Sequence, residues 1–248
     1  MFDLGGRRAI VTGANTGIGQ AIALSLAAAG ADIAAVGRTP AEETVEKVRA
    51  LGRKAEIVSA DLSSIEPVQR VVDETIEKLG GLDILINNAG IIRRADSVDF
   101  TEEDWDAVID TNLKSTFFLA QAAGRHMLRQ GSGKIVNIAS LLSFQGGIRV
   151  PSYTASKSGV AGLTKLLANE WAAKGVNVNA IAPGYIATNN TAALQADETR
   201  NRQIQERIPA GRWGDASDIG GAAVFLASPA ANYIHGHVLA VDGGWLAR

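Results

Sequence analysis

The chain has 248 residues, of which 46% are hydrophobic and 20% charged, and a formal net charge of −2 at pH 7. This suits one large α/β domain with a full core and leaves no apolar run of the ~18 residues that a membrane span needs. With no cysteine there are no disulfides and no thiolate metal site.

His126, His235 and His237 do not form a metal-ligand set, so no metal is expected. No basic run or aromatic platform suggests nucleic acid. The start, Met1 to Arg8, lacks the apolar stretch of a signal peptide. A cytoplasmic protein is expected.

In chain order, Arg7 to Gly13 is a β-rich run that stops at a glycine. Asn15-Thr16-Gly17-Ile18-Gly19 then leads into the helical stretch Gln20 to Ala29. Strand, glycine loop and helix form the phosphate-binding start of a βαβ unit. The glycines let the backbone approach a pyrophosphate, and the helix N-terminus faces it with free N–H groups. The spacing is G-x3-G-x-G.

The strand 32–36 follows, ending at Gly37-Arg38. In dinucleotide folds an acid near this point favours NAD, whereas an arginine suits the 2′-phosphate of NADP. No carboxylate is present, so NADP(H) is the favoured cofactor, with NAD(H) second. A helix over 40–51 and a strand over 55–59 come next. Asp61-Leu62 then offers an acid for the adenine amino group. A helix over 65–79 and a strand over 82–86 lead to Asn87-Asn88-Ala89-Gly90, whose small residues allow close approach to the adenine ribose.

A long helix is expected around 104–130. The apolar run 134–139 reads as a buried parallel strand ending at Ser140. A helix over 153–173 carries Tyr153 and, one turn on, Lys157 on the same face. Ser-x12-Tyr-x3-Lys suits hydride transfer at a carbonyl: Tyr153 moves the proton, and a nearby Lys157 cation lowers a phenol pKa that is ordinarily about 10. A strand over 176–181, a long irregular polar connection over 184–214, a helix over 216–227 and a strand near 237–241 complete the chain. The alternation predicts a single-domain Rossmann fold with a doubly wound parallel sheet of about seven strands. The 184–214 stretch reads as a substrate lid.

Thr12-Gly13, Gly17-Ile18-Gly19, Asn87 to Gly90, Asn112, Ser140, Tyr153, Lys157 and Pro183-Gly184 resemble the classical short-chain dehydrogenases/reductases over essentially the whole chain. The resemblance implies that Asn112 kinks its helix and helps hold a water in a proton relay from Lys157. It implies that Ser140 positions the substrate oxygen, that Tyr153 is the acid/base and that Lys157 also binds the nicotinamide ribose. Pro183, Gly184, Ile186 and Thr188 would wrap the nicotinamide carboxamide and the phosphates.

Longer segments are similar to a narrower group, the 2-deoxy-D-gluconate 3-dehydrogenases, also called 2-dehydro-3-deoxy-D-gluconate 5-dehydrogenases. They include Gly90 to Ala95, Ser143 to Tyr153, Ala182 to Thr191, Arg207 to Gly214 and Val241 to Arg248. That group is generally regarded as NAD-linked, so Gly37-Arg38 is a departure. A sugar acid needs a cation for its carboxylate, and Arg94 and Arg149 border the expected site, with Gln145 and Asn189 nearby. The rivals are a short-chain reductase for another polyol, gluconate or 3-ketoacyl substrate, and a cofactor-sensing protein without turnover. Surplus apolar residues at Phe117, Phe118, Leu119, Leu163, Leu166, Leu167 and Trp171 suggest an interface, and the resemblance implies a homotetramer. The apolar ending 243–246 suggests a second interface.

Overall fold

The computed structural model describes residues 1–248. Seven parallel strands form one sheet in the order β3-β2-β1-β4-β5-β6-β7. They are β1 Arg8–Thr12, β2 Asp32–Gly37, β3 Ala55–Ser59, β4 Ile84–Asn87, β5 Gly133–Ile138, β6 Val176–Pro183 and β7 Val238–Val241. The chain order reverses between β1 and β4, the crevice where such sheets bind ligands.

Alternate residues of each strand face opposite layers. Ala9 and Val11 of β1 join one core cluster, which includes Ile22 and Leu26 of helix α1 (Gly17–Ala28) and Val45 of α2 (Glu42–Ala50). Ile219 and Ala223 of α9 (Ala216–Ala227) lie in the same layer. Ile10 faces the other layer, built from α3 (Val68–Leu79), α5 (Ser115–Gln130) and α6 (Pro151–Trp171). Covering both faces makes the strands nearly continuous apolar runs, and all eight residues of β6 are buried.

Two expectations need correction. The helix expected over 104–130 is divided: α4 (Glu102–Ile109) and α5 are joined by a π-helical turn, Asp110–Lys114. The polar connection 184–214 contains α7 (Ala192–Ala196) and α8 (Glu198–Arg207), the latter started by the Asp197 carboxylate accepting from Arg200 N. Helix α8 buries only Ile204, so its sequence carries almost no periodic signal.

Tyr185, Ile204, Ile208, Trp213 and Trp245 pack as a small cluster with Leu141, apart from the two main layers. The C-terminal segment is therefore drawn inward. Trp245 is buried within the chain, and Leu246 packs partly buried against the same cluster.

Candidate active site

The carboxyl ends of the strands bring the predicted residues to one edge. Gly13 and Gly17 have φ of 64° and 57°, which a side chain rarely adopts. A Cβ on Gly19 would lie 2.1 Å from the Gly13 carbonyl oxygen, so helix and loop touch backbone to backbone. Thr16 precedes α1 without a side-chain cap hydrogen bond. The first amides of this helix, around Ile18, are therefore left for an anion. These residues fit a dinucleotide pyrophosphate.

Asn88 serves as a brace. Its Nδ2 donates to Thr12 O at 2.9 Å and to Gly13 O at 3.3 Å. The Thr12 hydroxyl accepts from Asn88 N and Ala89 N, each at 2.9 Å. Sequence reasoning assigned this segment to the ribose and missed that its amide holds the glycine loop; Gly90 follows on the same edge. Arg38 and Asp61 leave neighbouring strands and come within 3.8 Å, both well exposed. Hydrogen bonds from Ser63 hold the Asp61 carboxyl below its ordinary range, with Arg38 adding to the effect. Leu62 turns into the core.

Ser140 follows β5, and its Oγ accepts from Leu142 N at 3.2 Å. Pro151 opens α6 with a preset φ, bringing Tyr153 into the first turn. Lys157, one turn on, is buried; its Nζ donates to Ile138 O at 2.6 Å and lies 5.6 Å from the centre of the Tyr153 ring. Burial lowers its pKa to about 8.

Burial pushes the Tyr153 phenol up, opposed by hydrogen bonding with Ser140 and by the charge of Arg94. The lowering expected from Lys157 is thus not what the chain alone provides, because its ammonium is turned to a backbone carbonyl. A protonated phenol is the form that can donate to a carbonyl oxygen.

Asn112 lies in the π-helical turn. Its Oδ1 accepts from Ile91 N at 2.8 Å, and its Nδ2 donates to Ile91 O at 2.9 Å and approaches Ser156 Oγ at 3.5 Å. It therefore ties the loop after β4 to α6 next to Lys157. Asn87, Asn137 and Thr164 form a buried hydrogen-bonded chain behind this site that the sequence did not reveal.

On the substrate side, Arg94 donates to Asn190 O at 3.2 Å, reaching from the loop after β4 to the 184–214 segment. Arg149 has a φ of 62° and pairs with Asp96 at 3.1 Å. Gln145 Oε1 accepts from Trp245 Nε1 at 3.3 Å, and the Arg207 guanidinium stacks 3.9 Å above that indole. Pro183 ends β6, and Gly184 lies so close to β7 that a Cβ would be 2.6 Å from Asp242 Cα. Ile186 pairs with Gly214, and Thr188 lies against Gly17, carrying this segment back to the glycine loop. Asn189, exposed, opens the next short turn.

The family model for enoyl-(acyl carrier protein) reductases matches residues 13–246. The chain is a short-chain dehydrogenase/reductase. Members of this family named 2-dehydro-3-deoxy-D-gluconate 5-dehydrogenase, from Escherichia coli and Bacillus subtilis, are each 58% identical over 248 residues, spanning all of this chain and 98% and 97% of their own lengths. A solved structure from Agrobacterium tumefaciens is 62% identical with a TM-score of 0.94, and the match covers 100% of this chain and 99% of that one. It is provisionally named a 2-deoxy-D-gluconate 3-dehydrogenase and has NADP bound.

Proposed function

We propose that this short-chain dehydrogenase/reductase interconverts a secondary alcohol and a ketone of a deoxy sugar acid, of the 2-deoxy-D-gluconate or 2-dehydro-3-deoxy-D-gluconate type, with NADP(H) favoured and NAD(H) accepted. The carrying observation is the convergence of Ser140, Tyr153 and Lys157 on one strand edge with a glycine loop and an uncapped helix. The full-length similarity to named sugar-acid dehydrogenases, and NADP in the Agrobacterium structure, support substrate and cofactor.

Gly13, Asn15, Thr16, Gly17, Ile18 and Gly19 would hold the pyrophosphate, and Arg38 a 2′-phosphate. When bound, the dinucleotide supplies or accepts the hydride. Ser140 Oγ holds the substrate oxygen, and Tyr153 donates or removes its proton. Lys157 holds the ribose and, with Asn112 fixing the adjoining turn, passes protons outward. The 184–214 segment closes over the substrate as a lid.

A panel of 2-dehydro-3-deoxy-D-gluconate, gluconate and 3-ketoacyl substrates, run with both cofactors, tests the reading. Highest kcat/KM on the deoxy sugar acid supports it, and a 3-ketoacyl preference would transfer the assignment. Arg38→Ala should raise KM for NADP(H) about tenfold or more and change that for NAD(H) little, since a charge-assisted hydrogen bond is worth ~1.5–3 kcal/mol. Equal changes for both would mean that Arg38 does not hold the 2′-phosphate.

No helix is long and apolar enough to cross a membrane. We read the protein as a cytoplasmic homotetramer without nucleic-acid or membrane partners. Trp105 of α4 and Leu166 of α6 support an interface, being 40% and 47% exposed on neighbouring helices. Light scattering should give four times the chain mass at micromolar concentration, and a monomer mass would overturn this.

A further inference from the structure

At the opposite, amino edge of the sheet lies a cavity of about 330 Å³. The starts of β1, β4, β5 and β6 and the approach to β7 surround it, contributing Arg7, Asp83, Lys134, Asn177, Asn232 and His235. None of these belongs to the catalytic edge.

Its polar groups are unevenly matched. Asp83 is the one carboxylate in the lining, and it is already shared by Arg8 at 2.6 Å and Arg7 at 3.2 Å. Lys134 Nζ donates to Asn177 Oδ1 at 3.0 Å and Asn232 Oδ1 at 2.8 Å, and has no carboxylate partner. An ammonium has three donors, so one remains. Asn177 Nδ2 lies 3.3 Å from His235 Nε2. The same Nδ2 donates to the carbonyls of Asn232 at 3.1 Å and Ile234 at 3.0 Å, which tie the loop before β7 to β6. His235 Nδ1 is buried without a partner and lies out of reach of the cavity. Arg7 is half exposed and has donors beyond those on Asp83.

The cavity therefore has a surplus of donors and an uncompensated cation. Lys134 is half-buried without a counter-ion, and this partial burial, with Arg7 adding, lowers its pKa to about 8. One kind of occupant satisfies the spare donors of both Lys134 and Arg7, a small molecule bearing an oxyanion. We propose that the amino edge carries a second binding site for a small oxyanion, a carboxylate or a phosphate-type group, held by Lys134 with Arg7.

Sulfate is the phosphate-type probe and citrate the carboxylate probe, each titrated calorimetrically into the intact protein with saturating NADP(H) to fill the pyrophosphate cradle. At pH 8.5 the folded Lys134 is partly deprotonated. An anion raises its pKa, so binding takes up protons, and the observed heat changes with the ionisation heat of the buffer. The stronger of the two probes identifies the headgroup. Lys134→Gln should weaken that probe about tenfold or more, abolish the proton uptake and leave kcat/KM unchanged.

Equal affinity in wild type and variant, or no binding of either probe at millimolar concentration, would reduce Lys134 to a brace between β5 and the loop before β7. Should Lys134→Gln not fold, the wild type labelled with 13Cε-lysine still decides. The Lys134 resonance should titrate near 8 alone and higher with the bound anion, and an unmoved midpoint would overturn the site.

Discussion

Tyr153→Phe is expected to lower kcat by at least about a hundredfold in a protein that remains folded and still binds NADP(H). The change removes one hydroxyl, and general acid–base catalysis contributes typically 10²–10⁴-fold. The ring can stay packed at the start of α6, and Ser140 keeps its contact with Leu142 N. Burial raises the phenol pKa, so the hydroxyl is retained as a proton donor across neutral pH. Loss of the proton carrier should therefore appear in kcat more than in cofactor affinity, measured by steady-state kinetics alongside fluorescence titration of the reduced dinucleotide. Near-wild-type kcat in the folded variant would remove Tyr153 from the chemistry.

The second large effect is expected at Arg94. Two arginines were candidates for the substrate carboxylate, and their surroundings differ. The charge of Arg94 is felt at Tyr153, and its guanidinium reaches the carbonyl of Asn190 beside Asn189. Arg149 is engaged with Asp96, both partners being well exposed. Arg94→Leu should raise KM for the sugar acid about tenfold or more with less change in kcat, because a carboxylate contact is present in ground and transition states alike. A neutral ketose should be spared. Arg149→Leu should change either substrate by no more than a few-fold, as exposed ion pairs contribute about 0–1 kcal/mol. If both variants treat acid and neutral substrates alike, the carboxylate is held elsewhere, with Arg207 the next cation to test.

The central strands were legible because burial on both faces gives them mostly apolar runs, as in β1 and β4. The strand over 55–59 and the helix over 216–227 fall where periodicity set them. Helix α8 was hidden because Glu198 to Arg207 buries one side chain, leaving the sequence no stripe to read. The Ser140, Tyr153 and Lys157 set was legible from spacing because a strand end and one helical turn fix their separation. The orientation of the Lys157 ammonium toward Ile138 O was not, since it depends on a strand distant in sequence. Nor was the bracing of the glycine loop by Asn88, or the chain from Asn87 through Asn137 to Thr164. Those are contacts across strands that only the fold brings together.

The π-helical turn at Asp110–Lys114 has a hereditary consequence. Such a turn amounts to one extra residue in an α-helix, and each residue rotates the downstream helix by about 100°. No substitution of a side chain undoes it; only a deletion would restore a regular helix. That deletion would swing α4 and its exposed Trp105 round relative to α5, while withdrawing Asn112 from Ile91. The outer wall of the molecule and the inner edge of its catalytic cleft are thus inherited together, through the length of the chain rather than through its spelling.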